Sequence, residues 1–578
     1  MAEKEHKLDE VSEHKLNNGS DPTLTAEKEA QSGTDTVTAS PRLSGDYGAT
    51  DAEGNVPVEK ELSRVDSADY PSAWKLVMIV VALCLTVFLV SLDMTIVSTA
   101  IPRITDEFHS LDQVGWYGSA FFLTMACFQS FWGKLYKFCP LKFTLLASIA
   151  IFEVGSLICA VAQDSTTLIV GRAIAGMGGA GAASGCYTVI GFAAPPRQRP
   201  VYTGIVGAAY GVASVIGPLL GGVFTDNLSW RWCFYINLPL GGVSVAILIL
   251  FFQAPAAARP QKVERKEFLK HMDFPGIAIL LCAVVCYLLA LQWGGTTKPW
   301  NSSDVVGTLV GFCVLILVFI GIEVYSGDYA MIQGRLLKDR SIGMMCAFVF
   351  FIAGSYFILL YYLPIYFQAT RGISAQSSGI DTLPLVLGSA IFSIISGGSI
   401  SATGHYILQT IVGSAVGLIS TALLYTLEVH TGTGKWLGYQ ILAGAGFGAV
   451  FQIPIVVNQA LVTPSDLSSI SANTLFFMTV GGAFFISAAQ AGFVNKLLQR
   501  IPYTAPNVNP HLVAITGATE LRTTFSAEDV PGIVVAYMDG LKVAFAISIA
   551  TAAIGFILAF TPRWKDNLKG KVGAAAAV

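Results

Sequence analysis

A chain of 578 residues with 53% hydrophobic side chains, only 13% charged and a mean hydropathy of +0.61 is too apolar for a water-soluble protein, where about 25% of residues carry charge. It reads as a polytopic membrane protein whose main partner is the lipid bilayer, and the formal net charge of −3, with no long basic run, excludes a nucleic-acid partner. Most of the ten cysteines, Cys127, Cys159 and Cys186 among them, lie inside apolar runs and form no C-x-x-C pair. Neither a disulfide framework nor a metal site is expected, nor any cofactor.

Residues 1–70 are rich in Glu, Lys, Asp, Ser and Thr and poor in aromatics, the composition of a disordered tail. They lack the short apolar core of a secretory signal, so the first span itself is expected to act as the targeting signal. From residue 74, apolar runs of about 20 residues recur, the length that crosses about 30 Å of hydrocarbon as helix. They cover 74–102, 114–136, 141–162, 167–193, 201–225, 232–252, 274–293, 304–324, 342–368, 379–398, 407–427, 437–461, 470–498 and 538–560, which makes fourteen spans. Alternate loops carry Lys134, Lys137 and Lys142, then Arg197 and Arg199, then five basic residues in 259–270, then Arg335, Lys338 and Arg340. By the positive-inside rule these loops are cytoplasmic, which puts both termini inside, in agreement with Arg563, Lys565, Lys569 and Lys571.

Three charges sit at membrane depth: Asp93 in TVFLVSLDMTIVSTAIPR, Glu153 in SIAIFEVGSL and Arg172 in LIVGRAIAGMGG. A charge at such depth costs about 2.5–3.5 kcal/mol even on a lenient insertion scale, so each is expected to serve a function and to have a partner. A fixed ion pair that sets helix register is the structural alternative for Asp93 and Arg172, and a helix-packing hydrogen bond is the one for Glu153. Gly171, Ala175, Gly178, Ala182 and Gly185 repeat at three and four residues along one helix face, where a second backbone can approach closely. Gly176, Gly178 and Gly181 have dinucleotide-loop spacing, but no strand precedes them and the reading is rejected. Gly217, Pro218, Gly221 and Gly222 form a second small-residue stripe. Candidate substrate contacts are the ring- and amide-bearing positions Tyr361, Tyr362, Gln368, Gln452, Asn458 and Asn473.

GIVGAAYGVASVIGPLLGG, ending in Gly217, Pro218, Gly221 and Gly222, resembles the antiporter signature of major facilitator superfamily exporters, with Ala213 in place of a usual glycine. LDMTIVSTAIPRI resembles the first-span motif of the fourteen-span drug:proton antiporters of that superfamily, and LIVGRAIAGMGGAG resembles their fourth-span motif, whose arginine is matched by Arg172. WRWCFYINLPLGG, YYLPIYFQATRGISAQSSGIDTLPLVLG and 458–498 look like the fungal branch. One departure stands out. The loop after the second span reads GKLYKFCPLK, with Lys137 where the superfamily usually has an acidic residue, so another acidic group is needed to latch that side.

The resemblance implies an all-α major facilitator fold of two six-helix bundles plus two inserted helices. On that reading 71–255 is the first bundle, 256–340 the linker and inserted pair, 341–565 the second bundle and 566–578 a cytoplasmic tail. It implies proton-coupled efflux of small amphipathic compounds such as a drug, fungicide or toxin by alternating access. Asp93 and Glu153 are then the proton carriers, Arg172 the counter-charge and protons the coupling partner. A proton-coupled importer resembling the fungal siderophore symporters is the alternative. The chain is not expected to be an enzyme: its seven histidines form no metal cluster and no nucleophile has a base. A monomer in the plasma membrane, or in the vacuolar membrane, completes the expectation.

Overall fold

In hydrocarbon a backbone must satisfy its own polar groups, and a single apolar segment does so as a helix. The computed structural model describes residues 70–108 and 114–563, and among these the regular structure is helix, with an isolated bridge between Gly294 and Lys298. The tail expected over 1–70, save Tyr70, and Lys565, Lys569 and Lys571 lie outside the described residues. The described residues all fall within one compact unit.

The long helices are α1 (Ala73–Phe108), α2 (Val114–Phe138), α3 (Leu141–Val161), α4 (Ser165–Ala193), α5 (Arg199–Asn227), α6 (Asn237–Phe251), α7 (Phe274–Trp293), α8 (Ser303–Ser326), α9 (Arg340–Arg371), α10 (Ala375–Thr403), α11 (Ile407–Tyr425), α12 (Thr433–Phe451), α13 (Leu467–Thr504) and α14 (Val530–Leu558). Among the described residues thirteen helices are long and apolar enough to cross a membrane. The remaining expected span is α2, whose Gly, Ser, Thr and Gln residues lower its mean hydropathy.

Three expected spans are corrected in detail. The run 232–252 is two helices, Trp232–Tyr235 and α6, because Pro239 offers no N–H to the Tyr235 carbonyl. The run 437–461 likewise breaks at Gln452 into α12 and Ile453–Leu461, where Pro454 offers none to Val450. The last span begins at Val530 rather than 538, since Asp539 is paired with Arg500 of α13 and does not mark a helix end.

Helices α1–α6 pack on one another, as do α9–α14. The two groups meet along α2 against α13 and along α5 against α10. The second helix of each bundle thus faces the fifth of the other, as a pseudo-two-fold axis between the bundles requires. Helices α7 and α8 pack together beside one of these seams, α7 on α2 and α13 and α8 through Phe312 against Phe484 of α13. Small residues set the closest approaches. A side chain on Gly178 would run into the Phe152 backbone and one on Gly155 into Ala175, so α3 and α4 lie backbone to backbone.

Candidate functional site

Asp93 and Arg172 are both fully buried and form an ion pair between α1 and α4. Three more elements complete the site. The Arg172 Nε donates to the Tyr117 carbonyl of α2 at 2.9 Å, and the guanidinium lies 4.6 Å from the centre of the Phe121 ring. The Asn237 amide, at the first residue of α6, donates to the other Asp93 oxygen at 3.1 Å and to the Ser156 hydroxyl of α3 at 3.0 Å. Taking two charges out of water is costly, and such a pair persists only where further hydrogen bonds meet the remaining lone pairs and protons. Here Tyr117, Asn237 and Ser156 supply them. The Arg172 Nη2 and the Asn237 Oδ1 remain buried with no protein partner.

The local sequence explains why these groups converge. The glycines of α4 admit α2 and α3 so closely that Arg172 reaches a main-chain carbonyl of α2. The break before α6 carries Asn237 to the carboxylate. One turn and two turns further along α6, Gly241 meets Glu153 and Ser244 bonds Thr86 of α1 at 2.7 Å. Glu153 thus lies on α3 one turn from Ser156, with both carboxyl oxygens buried and without a protein partner. Asn237 drew no attention in the sequence, because a neutral amide near the start of a span carries no charge to mark it. Only its place in an apolar stretch hinted at more.

The antiporter-type glycines pack α5 onto α1 just beyond the ion pair. Side chains on Gly217 and Gly221 would meet Thr95 and Ile96, within three residues of Asp93, whereas Gly222 faces open space. Pro218 lies inside the helix between them.

Between the bundles lies a small cavity of about 30 Å³, walled by α1, α2, α4, α5, α9 and α13. Met94, next to Asp93 in sequence, lines it, together with Phe122, Gln129, Tyr187, Tyr210 and Phe357. A second chamber of about 20 Å³ shares Tyr210 and is lined by Tyr356, Phe451 and Gln452. Of the six candidate substrate residues, Gln452 alone reaches a wall of these two chambers. Tyr361 is half-buried against the core. Tyr362 packs on Phe493 at 5.7 Å inside the second bundle, and Gln368 donates to Ser378 at 2.9 Å, tying α9 to α10. Asn458 donates to Thr474 at 2.9 Å and to Cys346 at 3.5 Å, and Asn473 is buried with its amide nitrogen unpaired. Tyr362, Asn458 and Asn473 are buried inside the second bundle.

At the end of the molecule that carries the basic loops, the seams are stitched by polar contacts. Asp466, just before α13, accepts from Lys137 of α2 at 2.9 Å and from Arg335 of the segment before α9 at 2.9 Å. The Gln459 amide donates to the Tyr187 carbonyl at 3.1 Å, and the Ser401 hydroxyl donates to the Arg197 carbonyl. Lys137, at the position expected to be acidic, has its acidic partner in the opposite bundle. At the other end Glu107 bonds Arg231 at 2.9 Å and Trp230 at 2.7 Å, and these hydrogen bonds hold its carboxyl below the usual range.

Residues 83–486 match the family described as the Major Facilitator Superfamily. The chain is 48% identical over 523 residues to the MFS-type transporter grgE of Penicillium sp, covering 90% of this chain and 92% of that protein. It is 43% identical to the MFS-type efflux pump MFS1 of Trichophyton rubrum, covering 91% and 99%. Among solved structures, the proton:xylose symporter XylE superposes with a TM-score of 0.54 at 13% identity, over 87% of this chain and 99% of that one, a likeness of fold alone.

Proposed function

Because the chain belongs to the major facilitator superfamily, a family of transporters and not of enzymes, we propose that it exports small amphipathic compounds in exchange for protons by alternating access. The observation that carries this reading is the buried Asp93–Arg172–Asn237 network, placed one residue from Met94 in the wall of the inter-bundle cavity. A proton reaching Asp93 cancels the charge that holds Arg172. The guanidinium then keeps the Tyr117 carbonyl, the Asp93 main-chain carbonyl at 3.2 Å and the Phe121 and Phe234 rings, and its hold of α4 on α1 is loosened. The shift is felt at the chamber through Met94 and at α5 through the Gly217–Gly221 contact. Glu153, with no protein partner, is the second group able to hold a proton along this path.

The energy suffices. One proton moving down about 100 mV and one pH unit releases roughly 3.7 kcal/mol, enough for about a 500-fold gradient of a neutral compound. The outward direction is supported by the relatives described as efflux pumps. The basic loops support a cytoplasmic placement of both termini, and a monomer in the plasma membrane is part of the same reading.

The test uses proteoliposomes and 1,8-dihydroxyanthraquinone as probe. Asp93→Asn and Arg172→Ala are expected to abolish gradient-driven accumulation while exchange of probe at zero gradient persists. Uphill accumulation retained by either variant would sink the proposal, and loss of exchange as well would assign the pair a purely structural role.

A further inference from the structure

The lining of the two chambers joins an uncharged surface to one amide that no protein group answers. None of the residues facing either chamber is Asp, Glu, Lys, Arg or His. Asp93 is close by in sequence, but both its oxygens are turned away to Arg172 and Asn237 inside the first bundle. Among the few polar side chains of the first chamber, with Thr479, Tyr187 and Tyr210, is Gln129 of α2. It is fully buried, it faces the cavity between the bundles, and neither its amide oxygen nor its amide nitrogen has a hydrogen-bond partner in the protein. An amide buried this way is costly unless something meets it. The Gln459 amide nitrogen in the same seam finds partners in the Tyr187 carbonyl and the Ser471 hydroxyl, so the fold does not lack means to satisfy an amide there.

We propose that Gln129 is a specificity-determining residue, pairing with a carbonyl or hydroxyl of an uncharged and otherwise apolar substrate, and that the chamber discriminates against permanent cations. The proposal rests on the transport reading above and deepens it. A glutamine amide offers both a donor and an acceptor, so a vicinal or peri carbonyl–hydroxyl pair suits it. Phe122, Phe357 and Tyr210 present ring faces and edges to a flat molecule, and Met94 and Met125 adapt to its outline. A cation would leave water for a wall with no counter-charge and keep its full desolvation cost.

The experiment measures equilibrium binding to the purified full chain, using 1,8-dihydroxyanthraquinone as the uncharged probe and tetraphenylphosphonium as the cation. The wild type is expected to bind the quinone, and the cation at least about 10-fold more weakly. Gln129→Leu is expected to weaken quinone binding about 10-fold with the melting temperature unchanged or raised, since it removes a buried unpaired amide. Gln129→Asn is expected to fall between the two, and Gln129→Glu to gain the cation. Equal binding of both probes by the wild type, binding of neither, or undiminished quinone binding by Gln129→Leu would each overturn the inference. So would a loss of quinone binding accompanied by a lowered melting temperature in both Gln129→Leu and Gln129→Asn, because that marks a packing role. If the wild type binds the quinone selectively yet moves none of it in proteoliposomes under a proton gradient, the transport reading fails while the chamber chemistry stands.

Discussion

At the scale of single residues, Asn237 carries the greatest consequence for its size. Its amide is the group that bonds both the Asp93 carboxylate and the Ser156 hydroxyl, joining α6 to α1 and α3 at the ion pair. A hydrogen bond to a charged group contributes about 1.5–3 kcal/mol. Asn237→Ala is therefore expected to lower the stability of the purified protein by that order and to shift the pH at which uphill transport is half-maximal. A thermal melt and a pH series of proteoliposome flux check this, and a variant with unchanged melt and profile would remove Asn237 from the site. Asp93 and Arg172 were legible in the sequence because a full charge in an apolar run is rare and expensive. Asn237, Gln129 and Ser156 were not, since neutral polar residues are common in helices and reveal a role only through what stands opposite.

Among the elements, glycine decides which helices touch. The stripe on α4 faces α3 at Gly171 and Gly178, where side chains would strike Cys159 and Phe152, and beside the stripe Gly176 and Gly181 let Phe121 and Trp132 of α2 come close. Gly178→Leu must push α3 off α4, and with it Ser156 and Glu153 off the ion pair. It is expected to yield little monodisperse protein in size-exclusion chromatography. Gly222, one residue past Gly221 in the same motif-bearing stretch of α5, has open space around it, so Gly222→Ala is expected to leave yield and transport near wild type. The spacing of these glycines announced close packing, but not which neighbour each would meet. The two proline breaks belong to this scale as well. Pro239 and Pro454 were visible as residues, while their effect was to set Asn237 against the carboxylate and Gln452 in a chamber wall.

Across the whole molecule, the seam is closed at the basic end by one carboxylate held by two cations from different segments. Asp466 is 7% exposed and Lys137 is 11% exposed, so solvent screens this pair far less than a surface pair, whereas Arg335 on the other carboxylate oxygen is open to water. Each cycle of alternating access has to part these groups if this end opens to load substrate. Lys137→Asp is expected to loosen this end and to raise hydrogen exchange of backbone amides around 464–470. Lys137→Asp combined with Asp466→Lys is expected to restore protection only in part, because Arg335 then faces a like charge. Full protection in the single variant would show that the cluster does not hold the seam.

What the sequence determined by itself was the class of molecule and its order. Spans of about 20 apolar residues, basic loops on alternate sides, charges in oil at Asp93, Glu153 and Arg172, and the Gly–Pro stripe of α5 are consequences of transfer energies and helical periodicity, which act locally along the chain. What only the tertiary structure decided was which groups meet. The partner of Lys137 is 329 residues away in Asp466, and the amide that completes the Asp93 site is 144 residues from it. Contacts of this kind follow from how helices rotate about their axes and which small residues let them close, and a rotation of a few tens of degrees turns Tyr362 or Asn458 from a chamber wall into the bundle core.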